Sequence, residues 1–237
     1  MVEAYAETRL ASVPWKDWIR TVEVEPSLYA ADLSRLGEQC EVLLRAGVRI
    51  LHFDVGDGHF VPPITMGPIV LQSIAPLVHR HGGVLDVHLM VEEPWRHFEA
   101  VAEAGGDSVT VHYEACPDRP AVVRAARERE LEIGLAFKPE TSPEDAAAGA
   151  KGFDIVLCMS IEPGYSGQPF MPEAIPRIRR LRELLGEDVP IQVDGGIEHE
   201  NIRSVRDAGA TLFVAGTAIF GREDLPRAYR RLVQALA

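Results

Sequence analysis

The chain has 237 residues, 46% of them apolar, and a formal charge of −12. That length fits a single large domain with a substantial core, and the acidic balance disfavours nucleic acid, whose phosphates it would repel. No stretch approaches the ~18 continuous apolar residues of a membrane span, no basic start followed by an apolar run marks a secretory signal, and the three cysteines form no spacing motif, so a cytoplasmic protein is expected.

Residues 1–21 read as an N-terminal extension to a domain over 22–237. Trp15, Trp18 and Ile19 have helical spacing and are expected to cover an apolar surface of that domain. From there an alternation sets in. Strands are predicted over 21–25, 49–54, 84–89, 108–112, 131–137, 154–159, 191–194 and 211–215. Helices are predicted between them over 33–47, 68–78, 94–104, 120–129, 143–149, 172–185 and 200–208, and a last one over 225–236. Eight strands alternating with helices predict a parallel sheet. Polar residues gather at strand C-ends around the whole set rather than at one switch point, so the α/β sheet is expected to close into a single (β/α)8 barrel, a TIM barrel, with the extension on its floor.

Within that frame Ile50-Leu51-His52-Phe53-Asp54 places two ionisable groups at i and i+2, on one face of a strand. Val87-His88 and Val193-Asp194 end two further strands in the same way. Buried charges need partners, and a set of two imidazoles and two carboxylates suits one divalent ion. Zn²⁺ is the first choice for His52, Asp54, His88 and Asp194, with Fe, Mn or Co as alternatives. Asp86 lies deeper, where it would orient a ligand, and Asp57 suits the Asp-Gly turn. Gly195-Gly196 and Gly216-Thr217 follow the last two strands, where barrel enzymes commonly seat a phosphate on loop amides. The loop over 162–170 combines glycine and proline and could close over a substrate.

These stretches come in the order found in the ribulose-phosphate 3-epimerase family, which the chain resembles from about residue 26 to 221. The resemblance rests on Pro26-Ser27, the run from His52 to Pro62, Asp86-Val87-His88-Leu89-Met90, the run from Met159 to Gln168, Val193-Asp194-Gly195-Gly196 and Val214-Ala215-Gly216-Thr217. It implies a metal-dependent isomerase that inverts C3 of a ketose phosphate, most simply D-ribulose 5-phosphate to D-xylulose 5-phosphate, through a cis-enediolate. It implies Asp54 and Asp194 as acid and base, and His52, Asp54, His88 and Asp194 as metal ligands. Ser27, His88, Met90, Met159, Gly164, Tyr165, Ser166, Gly167, Asp194, Gly195, Gly196, Gly216 and Thr217 would line the substrate site. No organic cofactor is implied, and a homo-oligomer, dimer or hexamer, is. Inversion beside a ketone needs two acid/base groups on opposite faces, one starting ionised and the other protonated.

The chain departs from the family pattern at Gly56, where a methionine is usual and whose loss would thin the cover over the intermediate. It departs also at Tyr29-Ala30, Pro63 and Ser166. Gly56 and Tyr29 leave room for another ketose phosphate such as D-allulose 6-phosphate, or for a catalytically silent sugar-phosphate-binding paralogue. A decarboxylase of the orotidine-phosphate type is disfavoured, because Asp86-Val87-His88 carries no lysine.

Overall fold

The computed structural model describes residues 15–18 and 22–237. Eight strands run in parallel: β1 (Glu23–Pro26), β2 (Ile50–Gly56), β3 (Val84–Met90), β4 (Ser108–His112), β5 (Glu132–Phe137), β6 (Ile155–Met159), β7 (Ile191–Asp194) and β8 (Leu212–Ala215). Each pairs with its sequence neighbour from β2 round to β8, β8 pairs with β1, and an isolated bridge between Ser27 and His52 joins β1 to β2. The result is the expected (β/α)8 barrel. Among the described residues no helix is long and apolar enough to cross a membrane.

Strand periodicity divides the side chains into two sets. Leu51, Phe53, Leu85, Val87, Val109, Val111, Ile133, Leu135, Val156, Val193 and Phe213 point outward and are buried in one continuous core against the surrounding helices. Burying a Leu, Val or Phe side chain contributes roughly 1.5–3 kcal/mol each, so this outer seam is the main stabilising element. The alternate residues point inward. At the floor Ile50, Ile155 and Leu212 form a separate apolar cluster, with Val84 against it. Trp15, in a short helix α1 (Trp15–Trp18), is 2% exposed and completes that cluster. Its backbone N–H donates to Glu132 Oε2 at 3.3 Å. Ile19 and the remainder of residues 1–14 and 19–21, Thr21 of the first predicted strand included, lie outside the described residues.

Element boundaries moved by a few residues for local reasons. The helix predicted over 33–47 opens as a 3-10 turn (Leu33–Arg35) capped by Asp32, and becomes the α-helix α2 only over Leu36–Arg45. The helix over 94–104 likewise begins as a 3-10 turn, Pro94–His97, after Glu93 at φ 49°. Pro94 has no N–H, which suits a helix's first turn, whose N–H groups lack partners in any case. β2 runs two residues beyond its predicted end because Val55 and Gly56 remain in register with Leu89 and Met90. A short helix at Thr217–Phe220, after β8, was not predicted; four residues are too few to show a period.

Candidate metal centre and active site

Above the apolar floor the inward positions turn polar. Asp86 of β3 is fully buried and accepts from Ser108 Oγ at 2.7 Å, Thr110 Oγ1 at 3.3 Å and Gln192 Nε2 at 2.9 Å, and contacts His52 Nδ1 at 2.9 Å. His52 and Asp86 are register partners on adjacent strands, which sets that contact. Burial would raise the Asp86 carboxyl, but His52, Gln192 and Ser108 outweigh it and hold it low. Glu25 of β1 shares Gln192 with Asp86 and is pushed well above the usual carboxylate range, first by burial and then by Asp86. Glu25, His52 and Asp86 thus form a second convergent set one level below the mouth. The His52 Nδ1 is committed there to Asp86, which leaves Nε2 aimed upward.

At the mouth the four candidate ligands meet. His52 Nε2 lies 3.4 Å and His88 Nδ1 3.3 Å from Asp54 Oδ1. The two ring nitrogens are 3.3 Å apart, and Asp194 Oδ2 is 3.7 Å from His88 Nδ1. All four ligand atoms lie within 4.8 Å of one another. The spacings of 3.3–3.4 Å among His52 Nε2, His88 Nδ1 and Asp54 Oδ1 match the edges of a tetrahedron whose centre is ~2.0–2.1 Å from each corner, the range of zinc bonds to imidazole and carboxylate, and Asp194 Oδ2 stands further off, 3.7 Å from His88 Nδ1. This donor set, two imidazoles and two carboxylates, fits a divalent ion.

The two carboxylates differ. Asp54 is drawn far below the usual range: burial opposes ionisation, but His52 and His88 beside it prevail. Asp194 is raised to about 6, by burial and then by the charge of Asp54. Both are held mechanically. Ser27 Oγ donates to Asp54 Oδ2 at 2.7 Å, and Thr65 Oγ1 donates to the Asp54 carbonyl at 2.8 Å. Ser160 Oγ donates to the carbonyls of Asp194 and Gly195 at 2.9 and 2.7 Å.

A cleft opens above the cluster. Ser27, Tyr29 and Asp54 form one side, and Met90 and Met159 bring thioethers from β3 and β6. Gly164, Tyr165, Ser166 and Gly167 overhang it from the loop after β6. Asp194, Gly195, Gly196, Gly216 and Thr217 close the side of β7 and β8. Every sequence-derived substrate-site residue except His88 lines this cleft, His88 lying beneath it. Among the described residues no Lys or Arg lines the cleft. Gly196 has φ 61°, and a Cβ there would come within 2.3 Å of the Phe170 N, so only glycine lets the loop after β7 pass so close to the overhanging loop.

At Gly56 a Cβ would meet the Pro63 carbonyl at 2.8 Å and Val61 Cγ2 at 2.9 Å. The loop after β2 has folded into the space a larger side chain would need, and Thr65 N closes it onto the Gly56 carbonyl at 3.2 Å. Asp57 does shape the turn, accepting from His59 N and Phe60 N at 2.8 Å each, and reaches across to Glu92 N as well.

Sequence reasoning missed His112 and Glu114. His112 ends β4 in the same inward phase as Ser108 and Thr110, a signal identical to that of His52 and Asp54. Its Nε2 is 2.9 Å from His88 Nε2, and its Nδ1 is 3.4 Å from Glu114 Oε2. Burial pushes the His112 imidazole down to about 4, against the pull of Glu114.

Comparison with known proteins accords with this geometry. The model of the ribulose-phosphate 3 epimerase family matches residues 23–220. The chain belongs to that family. It is 37% identical over 211 residues to the ribulose-phosphate 3-epimerase of Bacillus subtilis, covering 87% of this chain and 96% of that one. With the Escherichia coli K12 protein of the same name it shares 36% over 220 residues, 90% of this chain and 96% of that one. Among solved structures, 3-hexulose-6-phosphate synthase from Salmonella typhimurium superposes with a TM-score of 0.69 at 18% identity, over 90% of this chain and 98% of that one, a likeness of fold. The family is one of carbohydrate isomerases, so the resemblance read from the sequence holds for fold and enzyme class.

Proposed function

We propose that the protein is a metal-dependent 3-epimerase that interconverts D-ribulose 5-phosphate and D-xylulose 5-phosphate. The observation that carries this reading is the pairing of Asp54 and Asp194, two carboxylates in unlike surroundings that converge with two imidazoles at the mouth of a barrel of this family. Inversion at a carbon beside a ketone needs such an unlike pair, one acid ionised to accept a proton and the other protonated to return one on the opposite face. Asp54, from β2, and Asp194, from β7, reach the cluster from different sides of the barrel. A divalent ion held by His52, Asp54, His88 and Asp194, zinc being the first choice, would supply positive charge to the substrate oxygens as the enediolate forms.

The chain's own residues account for the rest of the step. Ser27 steers Asp54 by its hydrogen bond. Met90 and Met159 present soft, polarisable surface to a flat intermediate and keep water from it. With no Lys or Arg among the described residues that line the cleft, the phosphate is bound by main-chain N–H groups around Gly196, Gly216 and Thr217. The loop bearing Gly164 to Gly167 covers the substrate during turnover.

The test is turnover of D-ribulose 5-phosphate by zinc-loaded protein, beside D-allulose 6-phosphate. The expected result is a higher kcat/KM for the pentulose, abolished in Asp54→Asn and Asp194→Asn, with one ion bound per chain of the parent. A preference for the hexulose would reassign the substrate, and no turnover of either would leave a sugar-phosphate-binding protein.

A further inference from the structure

The two candidate imidazole ligands are supported differently. His52 Nδ1 meets a carboxylate directly, at Asp86. His88 instead presents Nδ1 to the cluster and turns Nε2 toward a second histidine, His112 Nε2, at 2.9 Å. Two ring nitrogens at that distance share one hydrogen. If Nδ1 of His88 is to offer a lone pair to a cation, its proton must sit on Nε2, and His112 Nε2 must accept it. A neutral His112 then carries its own proton on Nδ1. That atom is buried, lacks a well-formed hydrogen bond, and faces Glu114 Oε2 at 3.4 Å. Active-site hydrogen bonds are often long before the site is loaded and tighten afterwards.

The orientation of Glu114 is fixed from its other side. Its Oε1 accepts from Lys138 N at 2.9 Å and from Thr141 Oγ1. The His112 ring is held between His88, stacked at 5.0 Å, and Phe60, at 4.7 Å. We propose that His112 and Glu114 are positioning residues that set the tautomer of His88, so that Nδ1 is delivered to the metal as a lone-pair donor. The inference rests on the metal reading above.

Glu114→Gln provides the sharpest test, because the Lys138 N–H still requires the amide oxygen. The amide NH2 is then forced toward His112 Nδ1, which must become an acceptor. His112 would carry its proton on Nε2, and His88 would be driven to the tautomer with hydrogen on Nδ1, facing the ion. The same logic underlies the loss of activity when a triad aspartate becomes asparagine with its geometry intact. Zinc affinity is measured by competition with a chromophoric chelator, with the Co²⁺ absorption spectrum as a second readout. Far-UV circular dichroism and the unfolding midpoint of the metal-free proteins control for folding.

Glu114→Gln and His112→Leu are expected to weaken zinc binding about 10- to 100-fold and to alter the Co²⁺ bands. His112→Gln, whose side-chain oxygen can accept from His88 Nε2, should recover most of the loss. Should His112→Leu fail to fold, Glu114→Gln decides alone. A folded Glu114→Gln protein binding zinc and Co²⁺ like the parent would overturn the relay. Failure of the parent itself to bind a divalent ion would instead overturn the metal reading.

Discussion

The floor and the mouth of the barrel are formed by the same strands, yet they are chemically opposite. At the floor, β2, β3, β6 and β8 begin in Ile50, Val84, Ile155 and Leu212, closed by Trp15. Four residues further along β2, and about 13 Å up the strand, the inward position is Asp54, with His88 and Asp194 converging on it. Between them lies the polar level of Glu25, Asp86, Ser108, Thr110 and Gln192, which is buried yet hydrogen-bonded. The apolar end favours folding. The ionic end costs desolvation that partners must offset. Substitutions at the two ends should therefore separate stability from activity.

The largest effect is expected at the mouth. Asp54→Asn and Asp194→Asn should each lower kcat by ~10²–10⁴-fold. In the metal-free protein Asp194→Asn should leave the urea midpoint near or above that of the parent, since it removes a carboxylate that burial and Asp54 disfavour, whereas Asp54→Asn should lower it by removing the charge that His52 and His88 hold. A matching loss of fold in Asp194→Asn would mean the mouth is structural after all. The converse applies at the floor: Trp15→Ala should cost about 3 kcal/mol of unfolding free energy through the cavity it leaves, with kcat of the folded enzyme unchanged. Urea titration and steady-state kinetics on the same samples check both.

Acid exposes a smaller mouth effect. Glu114 is lowered to about 2, since His112, Thr141 and the Lys138 N–H outweigh its burial. The unfolded chain takes up this proton near pH 4.5, so the stabilisation is complete above that pH and is lost as pH falls from 4.5 toward 2. It amounts to at most about 2 kcal/mol after solvent screening. Across that window the stability of metal-free Glu114→Gln should fall less steeply than that of the parent. Gly56→Ala should have the smallest effect, about 1–2 kcal/mol, because its methyl group meets the Pro63 carbonyl. KM should rise, since Val61 and Pro63, the residues displaced, also abut Gly164 of the covering loop.

How much of this was legible in the sequence depended on how local the signal was. The inward alternation that exposes His52 and Asp54 is contained in five residues, and the strand-end glycines mark their own loops. The support beneath them was not so readable. Gln192 reaches Glu25 across 167 residues, and His88 meets His112 across 24; no spacing rule links such positions until the barrel closes. His112 did carry the right phase in Ser108-Val109-Thr110-Val111-His112, so a stricter use of the two-residue period would have found it. What lies beside Gly56 was not readable for a different reason. A side chain's absence says nothing of what fills its place, and here the loop from Asp57 to Thr65 does.

The most direct test of the central claim is proton NMR of D-ribulose 5-phosphate in D2O with the zinc-loaded protein. The two-carboxylate account predicts solvent deuterium at C3 of the D-xylulose 5-phosphate formed, and in Asp194→Asn and Asp54→Asn no interconversion, with exchange surviving for one epimer at most. Interconversion without deuterium at C3, or undiminished interconversion in either variant, would contradict it.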